Sequence, residues 1–232
     1  PAGIAMDVNK GPLEKAQEHI REEKLGGKIA TRLGNGLAPL EPGETDTVII
    51  AGMGGDLICK ILKAKPEFLI EGKEFILQPQ SEWFKIRRLL KEYRYQIEKE
   101  WFLKEDGKYY VIIKAEPAWT QPQRLKHQQP SIHEYIKEIS DTQVNQAVSE
   151  KDMESIYEQY GKYLIETKNP VLKEYLEKEI TKKESIAAEL KQSIKEIESE
   201  ELSGKERGNI AKRQRRYQEI QKEIRDMRKA IG

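Results

Sequence analysis

Apolar positions in this chain follow two different rhythms, and the change between them divides it. From residue 1 to about 117, short apolar runs alternate with amphipathic stretches, the pattern of a mostly parallel sheet flanked by helices. The spacing predicts strands at 3–6, 28–33, 47–51, 74–77, 96–103 and 109–115. Helices are predicted near Gly11-Pro12, where proline suits a first turn, after Gly54-Gly55, and over 81–93. Residues 121–130 read as a Gln- and Pro-containing loop, and 134–163 as helix.

The last third keeps a steadier period. Leu176, Ile180, Ala187, Leu190, Ile194 and Ile197 step by threes and fours, with Lys183 as the polar intruder. Ile210, Tyr217, Ile220, Ile224, Met227 and Ile231 resume the rhythm, with Arg213 as the exception. Each set is the seam of a packed helix. Leu202-Ser203-Gly204 interrupts them, and Ser203 with Glu206 has the spacing of a capping box. Pairing 197 with 210, 190 with 217, 187 with 220 and 180 with 227 keeps one constant index sum, which predicts an antiparallel helical hairpin. Ile194 then faces Arg213 and Lys183 faces Ile224, where a long aliphatic stem covers the seam while its charge reaches water.

Glu105-Asp106-Gly107-Lys108 joins the last two predicted strands, and Asp-Gly supplies the positive-φ positions of a tight β-hairpin. An otherwise parallel sheet closed by an antiparallel hairpin is how class I methyltransferases end, unlike common dinucleotide-binding folds. The expected architecture is therefore an α/β, Rossmann-like methyltransferase sheet over 1–166 and a coiled-coil hairpin over 167–232.

Composition adds limits. Charged residues make up 35% of the chain and mean hydropathy is −0.78, which fits long solvent-washed helices. Net charge is only +1, so any preference for a partner must come from local asymmetry. Residues 207–232 hold nine Lys/Arg against three Asp/Glu, while 168–206 hold eight against ten. Cys59 is the single cysteine, which excludes an internal disulfide framework and fits a reducing, cytoplasmic setting. No apolar run approaches the ~20 residues of a membrane span, and no signal peptide is visible at Pro1. A start at Pro1, inside an apolar stretch, leads to the expectation that the natural chain begins earlier.

Four strand ends carry candidate chemistry. Asp7, at the end of the first strand, places a carboxylate where both ribose hydroxyls of a nucleotide can be held, or where it caps the helix entering at Gly11-Pro12. Gly34-Asn35-Gly36 presents an amide suited to an adenine edge, although Asn-Gly is also a common turn. Val48-Ile49-Ile50-Ala51-Gly52-Met53-Gly54-Gly55 runs an apolar strand into three glycines and a helix, exposing backbone and a helix N-terminus at the edge where open α/β sheets bind ligands. Its alternative is a tight connector. Gln78-Pro79 brackets a side-chain amide that suits a nucleobase edge, or simply terminates a strand. His19, His127 and His133 show no metal-ligand spacing with Cys59, and no phosphate loop or nucleophile elbow is present.

Taken in order, Asp7-Val8-Asn9-Lys10-Gly11-Pro12-Leu13, Gly34-Asn35-Gly36-Leu37, Ile50-Ala51-Gly52-Met53-Gly54-Gly55, Leu77-Gln78-Pro79 and Glu105-Asp106-Gly107-Lys108 resemble the bacterial tRNA adenine-N1 methyltransferases of the TrmK family, which modify adenosine 22. The resemblance runs from Pro1 to about Leu164 and includes a helical C-terminal extension. It implies S-adenosyl-L-methionine as cofactor and tRNA as partner, with no metal and no membrane. Asp7 with Val8 would hold the cofactor ribose, where the family more often has Glu. Asn35 with Gly36 would lie beside its adenine, where Asp is common. Ala51, Gly52 and Met53 would line the methionine end and the approach of the target base, with Gln78 and Pro79 across the pocket as the catalytic pair. Val111 stands where a glutamate is usual. Arg87 and Arg88, and on the hairpin Lys212, Arg215, Arg216, Arg225 and Arg228, are the candidate RNA contacts.

The family's first strand and its glycine-rich loop would precede Pro1. The sheet is then expected to lack its central strand and leave neighbouring edges unpaired, and this polypeptide to be inactive as it stands. The alternatives are a noncatalytic RNA-binding or coiled-coil protein descended from such an enzyme, and a nucleotide-binding oxidoreductase, which the terminal hairpin and the absent glycine fingerprint disfavour.

Overall fold

A computed structural model describes residues 2–118, 148–198 and 204–232. The chain divides into two compact units, one of 1–99 with 112–144 and one of 100–111 with 145–232. The β-hairpin therefore contributes its base to the first unit and its tip to the second.

In the first unit, β1 (Gly3–Asp7) leads into α1 (Lys10–Glu22) and β2 (Ile29–Leu33), and β1 and β2 pair in parallel. β3 (Thr47–Met53), α2 (Gly55–Ala64), a short α3 (Pro66–Ile70), β4 (Glu74–Pro79) and α4 (Trp83–Glu92) follow. β5 (Tyr95–Glu105) and β6 (Lys108–Pro117) form the hairpin. The second sheet has the order β3-β4-β6-β5, parallel between β3 and β4 and antiparallel between β4 and β6. The six predicted strands are thus present, as is the antiparallel closure. At the hairpin turn Asp106 and Gly107 take φ of 48° and 75°, the positive pair that an Asp-Gly loop supplies. The one element the periodicity did not predict here is α3, a single turn started by Pro66 at its N-terminus.

Burial explains why these segments fold together. Ile58 and Leu62 of α2, Phe68 and Leu69 of α3, Phe75 and Leu77 of β4, Ile86 and Leu90 of α4 and Ile113 of β6 are sealed from solvent. On β4, alternate side chains are buried, and Phe75 meets Tyr95 at 5.0 Å between ring centres. Lys114 bridges strands by pairing with Glu74 and Glu116 at 2.9 Å, so a charge on the sheet face is compensated rather than stranded.

Among the described residues β1 and β3 make no pairing, and the sheet lies in two pieces. Ile49, at the middle of β3, is 67% exposed, far from the burial its place in an apolar strand calls for. Among the described residues, β1 and β3 each keep one edge without a ladder partner.

The second unit holds α5 (Val148–Tyr160), α6 (Lys162–Glu166), α7 (Pro170–Glu198) and α8 (Gly204–Ile231). Gly161, at φ 93°, breaks the first pair, so the helix predicted over 134–163 ends there; its part before residue 148 lies outside the described residues, as does Ser203 of the capping box. Asn169 caps α7, its Oδ1 accepting from the N–H groups of Val171 and Leu172 at 3.0 Å each. α7 and α8 pack antiparallel along the predicted seam. Leu176, Ile180, Ala187 and Ile194 are buried on one helix, and Ile210, Ile220, Ile224 and Met227 on the other. Leu190, Ile197 and Tyr217 are half-buried.

The two polar intruders sit one residue from the partners that the register gave them. Lys183 pairs with Glu223 beside Ile224, and Arg213 donates to Ser193 beside Ile194. At the hairpin tip, Phe102 and Tyr109 gather around Tyr175 of α7, with ring centres 5.5 and 5.0 Å from it. There Glu174 accepts from Lys104 at 2.6 Å, from Lys178 at 2.7 Å and from the Tyr109 hydroxyl at 3.1 Å. Chiefly the Lys104 ammonium, then that of Lys178, holds this carboxyl down to about 2.

Ile220 is 1% exposed at the seam. Truncating it (Ile220→Ala) is expected to destabilise the hairpin by about 2–5 kcal/mol, measured by urea unfolding followed through helical circular dichroism. A loss under about 1 kcal/mol would mean the seam is not close-packed there.

Candidate active site

The four strand ends singled out in the sequence meet the carboxyl edge of the sheets. At the end of β1, Asp7 Oδ1 accepts from Asn9 N–H at 2.7 Å while the Asp7 carbonyl accepts from Gly34 N–H at 3.0 Å. The carboxylate makes a local turn before the helix and does not cap its first amides, since Asn9 occupies the N-cap position. Val8 is exposed beside it.

After β2 the chain turns tightly. Gly36 has φ of 55°, and a side chain there would lie 2.8 Å from Ile61 of α2, so only glycine lets the loop rest on that helix. Leu37 and Leu40 are buried and anchor the loop, leaving Asn35 exposed. Arg32 fixes its far end with a two-pronged pair to Glu44, both contacts 2.6 Å, and a bond to the Pro39 carbonyl at 2.9 Å. The Arg32 guanidinium, helped by the N–H of Glu41, holds the Glu44 carboxyl down to about 2. This brace escaped the sequence reading, because an arginine on a strand and a glutamate in a loop twelve residues on carry no signal of partnership.

β3 ends in a bulge opposite β4, between Ala51 and Met53. Gly52 sits there at φ 78°, with nothing within 4 Å of the position a side chain would take. Its N–H donates to Gln78 Oε1 at 2.9 Å. Pro79 is buried and pairs with Met53, while Ala51 and Gly52 face solvent. Two further backbone bonds tie the turns together, Gln80 N–H to the Met53 carbonyl at 2.8 Å and Gly55 N–H to the Ser81 carbonyl at 2.9 Å.

Glu82 opens α4 in the left-handed region at φ 54°, an uncommon state for a non-glycine residue. Its carboxylate compensates by accepting from Asp56 N–H at 3.2 Å and from Lys85. Lys85 also bonds Asp56 at 2.9 Å, and Lys60 pairs with Asp56 at 2.8 Å. Lys60 first and Lys85 second hold the Asp56 carboxyl down to about 2, and Lys85 lowers that of Glu82. Sequence reasoning missed this clasp as well.

The RNA-contact candidates divide. Arg87 is 5% exposed, which removes it as a surface contact. With Trp83 and Leu90 it falls at i, i+4 and i+7 of α4, on the packed stripe. Arg88 is exposed, its guanidinium 5.6 Å from the Phe84 ring centre. On α8, Lys212, Arg215 and Arg225 are exposed, whereas Arg216 pairs with Glu219 and Glu223 at 3.2 and 3.4 Å, and Arg228 pairs with Glu184. Val111 is fully buried, a place that suits valine and would strand a carboxylate. Among the described residues no His/Cys/Asp/Glu cluster could hold a metal ion, and no helix is long and apolar enough to cross a membrane.

The family model for tRNA (adenine(22)-N(1))-methyltransferases matches residues 1–159. The chain belongs to the TrmK family. The tRNA (adenine(22)-N(1))-methyltransferase of Bacillus subtilis strain 168 is 33% identical over 61% of this chain and 72% of its own length. The crystal structure of the B. subtilis m1A22 methyltransferase TrmK aligns with a TM-score of 0.68 at 24% identity, covering 100% of this chain and 82% of that one. A putative tRNA (m1A22) methyltransferase from Streptococcus pneumoniae, in complex with S-adenosyl-L-methionine, aligns at 0.63 with 23% identity, over 100% and 81%. These structures show a shared Rossmann-like fold, and the TrmK family is one of tRNA adenine-N1 methyltransferases.

A methyl group at Gly55 would lie 2.6 Å from the Glu82 carbonyl and 2.8 Å from that of Ser81, both backbone atoms. Gly55→Ala is therefore expected to cost about 1–3 kcal/mol in denaturant unfolding. Gly11→Ala, in α1 with nothing within 4 Å, should instead stabilise by about 0.4–1 kcal/mol. Equal effects of the two would show that the turns do not touch as described.

Proposed function

We propose that this chain carries the site of S-adenosylmethionine-dependent methyl transfer to N1 of an adenosine in tRNA, adenosine 22 by its family. The observation that supports this most is the family match over 1–159, the span that contains all four polar strand ends. The residues present fit the adenosine half of the cofactor: a carboxylate at the end of β1, an exposed amide after β2 and bare backbone at Gly52. In this reading Asp7 and Val8 lie at the ribose, Asn35 and Gly36 beside the cofactor's adenine, and Ala51, Gly52 and Met53 along the approach of the target base. Gln78 and Pro79 stand across from them, Pro79 shaping the strand end from within.

When bound, the cofactor supplies an electrophilic methyl group on a sulfonium. Adenine N1 attacks with its own lone pair, so the site has to position and desolvate the base more than to deprotonate it. The base must first leave its stack or pair. The bonds between the β3 and β4 turns support such positioning, because they hold the two strand ends together. The domain division we propose remains a methyltransferase region to about residue 166 and a helical hairpin beyond it.

The test is tRNA incubated with labelled S-adenosylmethionine and the complete gene product, read by mass spectrometry of nucleosides. 1-Methyladenosine is the expected product, and its absence would refute the proposal. Calorimetric titration with S-adenosylmethionine separates the alternative: binding is expected of a methyltransferase, and no binding would favour a noncatalytic RNA-binding or coiled-coil protein.

The outer face of α8 is proposed as a phosphate-tracking surface. Lys212, Arg215, Lys222 and Arg225 are exposed and, among the described residues, have no ion-pair partner. Neutralising Arg215 is expected to reduce the slope of log K against log salt by about 1, whereas Arg216, held by two glutamates, should change it less. An unchanged slope after replacing Lys212, Arg215, Lys222 and Arg225 together would exclude this face.

A further inference from the structure

We infer that Gln78 reads the exocyclic amine of the target adenine through its amide oxygen, and so contributes to the choice of adenine over guanine. The inference rests on the methyltransferase reading of the same strand ends. Its starting point is that the amide has only one workable orientation. Gly52 N–H lies 2.9 Å from Oε1, and exchanging the two ends would set donor against donor.

That orientation withdraws the other end. Nε2 is buried and, among the described residues, has no hydrogen-bond partner, yet Gln78 as a whole keeps some exposed surface. What the residue shows to solvent therefore excludes its amine. The Gly52–Gln78 bond itself lies exposed at the strand end, so the polar atom of this side chain within a ligand's reach is its acceptor.

A carbonyl oxygen has two lone pairs, and Gly52 takes one. Beside Gly52 there is room, because nothing lies within 4 Å of where its side chain would be. The remaining lone pair suits an N–H donor. On the edge of adenine that carries N1, the neighbouring group is the N6 amine, a donor, while guanine has the O6 acceptor there. N1 must keep its lone pair for the methyl group, so a reader that contacts N6 does not compete with the reaction. Accepting from N6–H also pushes electron density toward the ring nitrogen that attacks. Against guanine, the same oxygen would face an oxygen, the kind of unpaired polar contact that rejects a wrong substrate strongly.

The experiment compares two tRNAs, one with adenosine and one with purine riboside at the target position, which lacks the amine. Methylation is followed in single turnovers with the complete gene product and S-adenosylmethionine. The wild type should favour adenosine, and Gln78→Leu should lose about tenfold of that preference, the worth of one hydrogen bond. Gln78→Glu, which keeps oxygen acceptors for Gly52 and for the amine, should retain more of it. Because both substrates meet the same variant, a partial folding defect cancels in the ratio. An adenosine-to-purine-riboside ratio unchanged by Gln78→Leu, with both rates lowered alike, would overturn the inference and leave Gln78 as a brace for Gly52. Absence of 1-methyladenosine from wild type on ordinary tRNA would instead refute the methyltransferase reading beneath it.

Discussion

The interlock between the β3–α2 and β4–α4 turns is the constraint on which the site depends. Backbone groups at strand ends have lost their ladder partners and must find others. Here they find one another: Gln80 N–H on the Met53 carbonyl, Gly55 N–H on the Ser81 carbonyl, and Gly52 N–H on the Gln78 side chain. Such close approach leaves no room for a Cβ at position 55, and the bulge needs a positive φ at 52, so the glycines serve two different physical demands. The left-handed backbone of Glu82 belongs to the same arrangement, its carboxylate accepting from Asp56 N–H and Lys85. Two loops that would otherwise move separately become one pre-positioned edge.

The β1–β2 piece is held by other means. Without ladder bonds to β3, its position rests on the loop after β2, where Leu37 and Leu40 are buried, Gly36 lies against Ile61, and Lys65 donates to the Leu40 carbonyl at 3.3 Å. The Arg32–Glu44 pair stiffens that loop from its far side. Being largely solvated, the pair contributes more to the loop's shape than to global stability. Asp7 and Asn35 are therefore placed through the packing and hydrogen bonds of that loop, whereas Gly52 and Gln78 are bonded to each other directly. Exposed Ile49 and the open edge of β3 mark where the two systems fail to join by a ladder.

Legibility followed the range of the interactions. The helical hairpin could be read to within one residue of register, because a seam of period 3.5 is written into every turn of both helices. The Asp106-Gly107 turn was legible because two adjacent residues determine it. The strand ends were recognisable by type, glycine and amide against an apolar strand, and they close the parallel pairs β1-β2 and β3-β4. What could not be read is which polar groups would partner across long gaps: Gly52 with Gln78, Arg32 with Glu44, Asp56 with Lys85. Nothing local distinguishes those residues from ordinary surface polarity. Arg87 was a different kind of miss, since its spacing from Trp83 and Leu90 already placed it on the packed stripe of α4, and its charge diverted attention from its period.

Charge shows the same gap between counting and arrangement. The last helix has a large excess of cations in sequence, yet Arg216, Arg228 and Lys229 each face a carboxylate, and Arg213 donates to a serine. What remains is narrower. Lys222 and Arg225 lie on the side of α8 away from Ile220, Ile224 and Met227, within the same arc as Arg215, with Asp226 and Glu219 along one flank toward Lys212. The ten steps from residue 215 to residue 225 span about 15 Å along a helix, enough to meet successive phosphates. Sequence composition pointed to the right helix, and packing decides which cations on it are available, because the apolar seam fixes the helix's rotation and with it the face left for a polyanion.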